Sequence, residues 1–97
     1  MRVRFLEVAR SELLQANQYY ASYSAAAADR FRRDVRSALR RMTAHPEAWH
    51  PLDGRFRRCQ LTRFPYGVIY EQVGDELMIV AVAHLHREPD YWRRQVP

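Results

Sequence analysis

One segment near the C-terminus constrains the fold more than any other. Residues 77–83, Leu-Met-Ile-Val-Ala-Val-Ala, are apolar without interruption. A run of this length is too short to span a membrane, and it is typical of a central strand that is covered on both faces. Tyr66–Val73 is predicted to be the strand before it, because Gly74-Asp75 between them can form a tight hairpin turn. The last strand is expected over Glu76–His84.

The first 46 residues change from a strand period to a helix period. Residues 2–7 alternate and predict a short first strand. A helical stripe follows at Ala9, Leu13, Ala16 or Asn17, Tyr20 and Tyr23. Ser24 is a suitable N-cap for a second helix, and His45-Pro46 ends it. The stripe of that helix consists of Ala28, Phe31, Val35, Ala38 or Leu39, and Met42.

The middle of the chain is predicted to be a loop followed by a strand. His45–Gly54 is rich in proline and polar residues, and its Trp49 is expected to pack onto the domain. Arg57–Phe64 is the predicted strand, and one helical turn is expected around Tyr91 and Trp92. The order β-α-α-β-β-β predicts an α+β fold, in which a helical hairpin packs on a small, mostly antiparallel sheet. At 97 residues, the chain is expected to be a single domain, 1–97.

The charge of the chain favours an anionic partner. The net charge is +5, and all 16 basic residues are arginines, which excludes a lysine base or a Schiff-base lysine. Arginine forks onto phosphate or carboxylate, so nucleic acid, an acidic protein or both would suit this surface. The arginines of the second helix are either a solvated face or phosphate contacts: Arg32, Arg33, Arg36, Arg40 and Arg41.

No segment predicts a membrane span or a secretory signal, so a cytoplasmic location is expected. The single cysteine, Cys59, lies in a predicted strand and is expected to be a buried thiol without a redox role. No cofactor is expected. His84 and His86 have no third ligand at a clear spacing, so no metal site is predicted either.

The C-terminal half carries a characteristic pattern of residues and spacings. It consists of Phe64-Pro65-Tyr66-Gly67-Val68-Ile69-Tyr70, the Gly-Asp hairpin, and the segment from Ile79 through Ala83-His84-Leu85-His86-Arg87-Glu88-Pro89-Asp90-Tyr91-Trp92. This pattern resembles the RelE/ParE toxin superfamily. It implies a helical hairpin on a curved antiparallel sheet and a cognate antitoxin that wraps the toxin in a hetero-oligomer. RelE-like members cleave mRNA on the ribosome, whereas ParE-like members inhibit DNA gyrase.

Within this superfamily, the sequence is closer to the ParE-like branch. RelE-like enzymes use lysines, arginines and a C-terminal tyrosine to move protons and stabilise the phosphate. This chain has no lysine, and it carries Gly67 and Leu85 where RelE-like enzymes place arginines, although Tyr91 is retained. The resemblance therefore favours a growth-arresting toxin that inhibits gyrase and is not an enzyme.

Two alternatives stay open. The first is a metal-independent mRNA endoribonuclease of the RelE type, with His84, His86, Arg87 and Tyr91 as candidate catalytic residues and Arg63 nearby. For the histidines, a structural role is the competing interpretation, with Arg87 paired to Glu88 or Asp90. The second alternative is a relative that kept the fold and antitoxin binding but lost its toxicity.

Two surfaces are predicted for the partners. Gyrase, or the ribosome and mRNA in the alternative, is expected to contact Arg58, Arg63, Arg87 and Trp92. The antitoxin is expected to contact Tyr19, Tyr23, Arg33 and Arg36.

Overall fold

The computed structural model describes all residues from Met1 to Pro97. Two helices and five strands follow one another, and a short 3-10 helix ends the chain. The bounds are β1 Arg2–Phe5, α1 Glu7–Ala21, α2 Ala25–Ala44, β2 His50–Pro51, β3 Phe56–Gln60, β4 Tyr66–Val73, β5 Glu76–His84 and the 3-10 helix Tyr91–Gln95. The predicted α+β architecture, a helical hairpin on a mostly antiparallel sheet, is confirmed.

The five strands form one sheet in the order β1-β5-β4-β3-β2. Every pair is antiparallel except β1 with β5, which is parallel. In the β4–β5 ladder, Ile69 lies opposite Ala81 and Tyr70 lies opposite Ile79, so Val80 is the extra residue of a β-bulge. The bulge places Val80 and Ala81 in the same buried cluster, as expected where two residues face one.

Both faces of β5 are covered, as its apolar run predicts. Leu77, Ile79 and Val82 pack in a cluster with α1 and α2. On the other face, Val80, Ala81 and Ala83 pack with Tyr91 and Trp92 of the 3-10 helix. The helical hairpin is therefore one layer, and a C-terminal turn of only five residues supplies most of the other.

Local sequence accounts for the helices. The Ser24 hydroxyl accepts the N–H of Ala27 at 3.0 Å and caps α2, as predicted. Most of the α2 stripe is buried, with Phe31, Ala38 and Met42 fully so. The α1 stripe is shorter than predicted, because the helix ends at Ala21 and leaves Tyr23 exposed.

Three boundaries differ from the prediction. β1 ends at Phe5, since Glu7 already begins α1. β3 runs from Phe56 to Gln60 and does not reach Phe64, because contacts with α2 hold the segment after it. The predicted loop His45–Gly54 contains the two-residue strand β2, which pairs with β3.

Neither α1 nor α2 is long and apolar enough to cross a membrane.

Candidate functional site

A cleft of about 240 Å³ lies where β5 ends and the chain turns toward the 3-10 helix. We call it the sheet-end cleft. Its lining combines apolar, cationic and anionic side chains, among them Arg58, His84, Leu85, Arg87, Glu88 and Asp90. Three of the four predicted target-binding residues line it, namely Arg58, Arg87 and Trp92.

Arg58 reaches the cleft by lying across Gly67 on the neighbouring strand. A Cβ atom on Gly67 would lie 2.7 Å from Cδ of Arg58 and 2.8 Å from its Cγ, closer than such atoms approach. Only glycine leaves room for the side chain in this position. Gly67 is the position where the resemblance places an arginine in RelE-like enzymes. Here the surface at Gly67 is covered instead by Arg58 of β3.

His84 and His86 lie side by side although β5 ends between them. Their ring centroids are 4.9 Å apart, and the backbone N–H of His86 donates to Nδ1 of His84 at 3.0 Å. A neutral imidazole has one acceptor nitrogen, so this bond assigns the proton to Nε2 of His84. His84 also packs edge-on against Tyr66, with ring centroids 5.0 Å apart. The backbone of His86 and the ring of Tyr66 thus hold the His84 ring in place.

Glu12 of α1 ties the helical layer to β5 and the 3-10 helix. One carboxylate oxygen accepts the N–H of Val82 at 2.9 Å. Val82 lies on β5 beyond Ile79, the last residue of β5 that pairs with β1. The other carboxylate oxygen accepts the Tyr91 hydroxyl at 2.7 Å, and Arg87 lies 3.8 Å from it. Burial, and then this bond to Glu12, raise the pKa of the Tyr91 hydroxyl well above its ordinary value.

The remaining cationic contacts of this region are also structural. Arg87 stacks on the Tyr91 ring, with 3.7 Å between the guanidinium carbon and the ring centroid, and pairs with Glu12, not with Glu88 or Asp90. Asp90 pairs with Arg93. Trp92 is only 3% exposed, so its predicted contact with a target would need the 3-10 helix to move.

Arg63 is not part of the cleft. It lines a separate polar cavity with Arg33, one of the predicted antitoxin contacts. The four predicted antitoxin residues are likewise divided among three surfaces. Tyr19 and Tyr23 are exposed beside Tyr66 and His84, whereas Arg36 borders an apolar groove between α1 and α2.

No three His, Cys, Asp or Glu side chains come together as a metal-binding group would require. Cys59 is fully buried in the core, and burial raises the pKa of its thiol. A buried thiol of raised pKa is a poor nucleophile.

The family of the chain is shown by its sequence. The family model described as "ParE toxin of type II toxin-antitoxin system, parDE" matches residues 3–91. The chain belongs to the ParE toxin family. Among solved structures, it is similar to one described as "Chromosomal ParDE TA system from P. aeruginosa", at 15% identity and a TM-score of 0.65. That match covers 89% of this chain and 97% of the other. No curated protein sequence matches.

Glu12 and Asp34, two carboxylates that organise this ParE-family toxin, were missed by the sequence analysis. Asp34 is 7% exposed and accepts the N–H groups of Thr62 and Arg63 at 3.2 and 2.8 Å. A signal for both was present, because each carboxylate lies within the apolar stripe of its helix. A charge in such a stripe indicates a buried polar contact.

Proposed function

We propose that this ParE-family toxin arrests growth in the cytoplasm by binding DNA gyrase, with no covalent chemistry of its own. The observation that carries the proposal is the burial of Tyr91 and its hydrogen bond to Glu12. Its hydroxyl donates to Glu12 at 2.7 Å and its side chain is 6% exposed, so the residue holds α1 against the 3-10 helix. A phenol with a raised pKa is also a weaker acid for a leaving oxygen.

The sheet-end cleft suits a protein partner. Surfaces that bind only nucleic acid are dominated by cations, whereas protein interfaces surround apolar contacts with charges of both signs. Here Arg58 and Arg87 line the same cleft as Glu88 and Asp90, and Leu85 is 41% exposed there. We therefore infer that gyrase contacts Arg58 and Leu85 in this cleft.

A supercoiling assay with purified gyrase tests this proposal. The protein is expected to inhibit supercoiling, and Arg58→Ala or Leu85→Asp should each raise the concentration needed by about tenfold or more. Arg4→Ala is the matched control, because Arg4 is exposed on β1 and lies outside the cleft. Supercoiling that persists at saturating protein would refute the proposal.

The alternative is a metal-independent mRNA endoribonuclease acting on the ribosome. It is supported by the closeness of His84 to His86 and of both to Arg87 at the end of β5. Pulse-labelling after induction separates the two functions: gyrase inhibition stops DNA synthesis first, and mRNA cleavage stops protein synthesis first. Under the alternative, Tyr91→Phe abolishes toxicity in a folded protein. No growth defect at all would indicate a relative that has lost its target.

We also propose that the antitoxin binds in the groove between α1 and α2. Apolar side chains line this groove of about 250 Å³, and arginines border it: Leu13, Leu14, Val35 and Leu39, with Arg32 and Arg36. Leu14 is 56% exposed and is continuous with the other apolar side chains of the groove, and a contiguous exposed apolar surface is typical of an interaction site. An apolar segment with acidic flanks complements both features.

Copurification with the antitoxin encoded beside this gene tests the groove. Leu14→Asp should release the antitoxin, because it buries a charge in the proposed contact. Val73→Asp is the matched control, since Val73 is 50% exposed at the end of β4 and does not line the groove. Equal retention of the antitoxin by both variants would place its site elsewhere.

A further inference from the structure

A second cavity lies between α2 and the segment that follows β3. Its volume is about 350 Å³, and none of its lining residues is hydrophobic. The lining consists of Arg30, Arg33, Asp34, Ser37, Thr62 and Arg63. We call it the polar cavity. It shares no residue with the sheet-end cleft or with the groove between the helices.

Two walls bring the cations of the polar cavity together. Arg30, Arg33 and Ser37 are spaced three and four residues apart, so they share one side of α2. Arg63 faces them from the other wall. Arg33 pairs with Asp29, whereas neither Arg30 nor Arg63 takes part in an ion pair.

The segment that follows β3 forms the second wall of the polar cavity. Asp34 holds this segment in place without forming an ion pair with Arg63. Both of its oxygens accept backbone N–H groups, those of Thr62 and Arg63, and the side chain is buried. The segment is thereby held against α2, and the guanidinium groups of Arg30 and Arg63 stay free. A site that is ordered before its ligand arrives avoids part of the entropic cost of binding.

We propose that the polar cavity binds phosphate groups of a nucleic-acid backbone. Arginine and hydroxyl side chains are the groups that proteins use on phosphate oxygens, and a guanidinium can form two parallel hydrogen bonds to them. Protein segments are most often held by a buried aromatic or aliphatic side chain, and the cavity offers no apolar surface for one. Arg40 continues the same side of α2, roughly 15 Å from Arg30 along the helix, which is long enough to follow several phosphates.

Fluorescence anisotropy over a salt series tests the proposal. The full chain is titrated onto labelled duplex DNA and, separately, onto labelled single-stranded RNA, which distinguishes the two sources of the phosphodiester. Arg30→Gln/Arg63→Gln should weaken binding to the preferred strand by tenfold or more. The slope of log affinity against log salt should shrink by about 0.9 for each phosphate that the variant no longer neutralises on duplex DNA, or by about 0.7 on a single strand.

The matched control is Arg4→Gln/Arg94→Gln, which removes the same charge from exposed positions outside the polar cavity. It should retain most of the affinity and salt slope of the unmodified chain. An equal loss in both double variants would mean that net charge alone drives binding, and would overturn the site. Failure of the unmodified chain to bind either nucleic acid, or tighter binding of polyglutamate, would overturn it too.

Discussion

At the scale of single residues, the molecule is organised by a few polar side chains whose partners are distant in the sequence. Glu12 bonds to Tyr91, 79 positions away, and Asp34 bonds to Thr62 and Arg63. In the sequence, the only sign of these two carboxylates is that each is a charge within an apolar stripe. The sequence did not identify their partners, because a helix period says which face is buried but not what that face meets.

Replacing Asp34 should destabilise the protein. Asp34→Ala leaves the N–H groups of Thr62 and Arg63 without their acceptor, which should lower the free energy of unfolding by about 1.5–3 kcal/mol. Urea unfolding measures this change. Asp29→Ala is the control, because Asp29 forms exposed ion pairs on the same helix and should cost less than about 1 kcal/mol. Equal losses would show that Asp34 does not hold the segment.

Substitutions of Gly67 and of Arg58 should have non-additive effects on toxicity. Gly67→Ala places a Cβ within 2.8 Å of the Arg58 side chain, which must then leave the cleft. Because that side chain can turn toward solvent, we expect a small change in stability and a loss of the proposed gyrase inhibition similar to that of Arg58→Ala. The double variant should be no worse than either single one, as for coupled residues. Additive losses in the supercoiling assay would contradict the coupling.

At the scale of elements, the periodicity of the sequence predicted both helices and the last two strands closely. α2 ends before His45-Pro46, and β4 and β5 have the predicted bounds. These elements follow from local rules of capping, alternation and turn formation. β3 and β2 were less predictable, since their limits depend on contacts with α2 and with each other.

The hydrogen bond from Val82 of β5 to Glu12 of α1 should slow the exchange of the Val82 amide proton with solvent. Glu12→Ala removes the acceptor of the Val82 N–H, so that amide should exchange faster while the amides within α2 keep their protection. Hydrogen exchange followed by NMR measures both sets in one experiment. Glu7→Ala is the control, since Glu7 is an exposed residue of the same helix. Unchanged exchange at Val82 would mean that the bond contributes nothing in solution.

At the scale of the whole molecule, alkaline pH should destabilise the fold through its buried tyrosines, Tyr91 and Tyr70, and the contribution of Tyr70 can be isolated. Burial raises the pKa of this tyrosine from 10.0 to about 12, and its hydroxyl donates to the carbonyl of Pro46 at 2.6 Å. The folded state therefore retains a proton that the unfolded chain loses. This contribution to stability is fully present below pH 10.0 and is lost as the pH rises toward about 12.

The loss should be on the order of 2 kcal/mol between these limits. Urea unfolding at a series of alkaline pH values measures it. Tyr70→Phe should be less stable near neutral pH by about 1 kcal/mol, because the bond to Pro46 is gone, and should have a flatter alkaline profile. Identical profiles for the two proteins would rule out Tyr70 as the group responsible.

The sequence by itself determined the order of the two helices and of every strand except β2, the strand that is covered on both faces, and the family. These depend on period, turn chemistry and spacing, which are local along the chain. Only the tertiary structure decided that Arg58 covers Gly67, that Tyr91 is held by Glu12, and that Arg63 lies beside Arg30 instead of His84. The reason is that side chains far apart in sequence meet only once the layers have packed, and packing depends on the whole set of contacts at once.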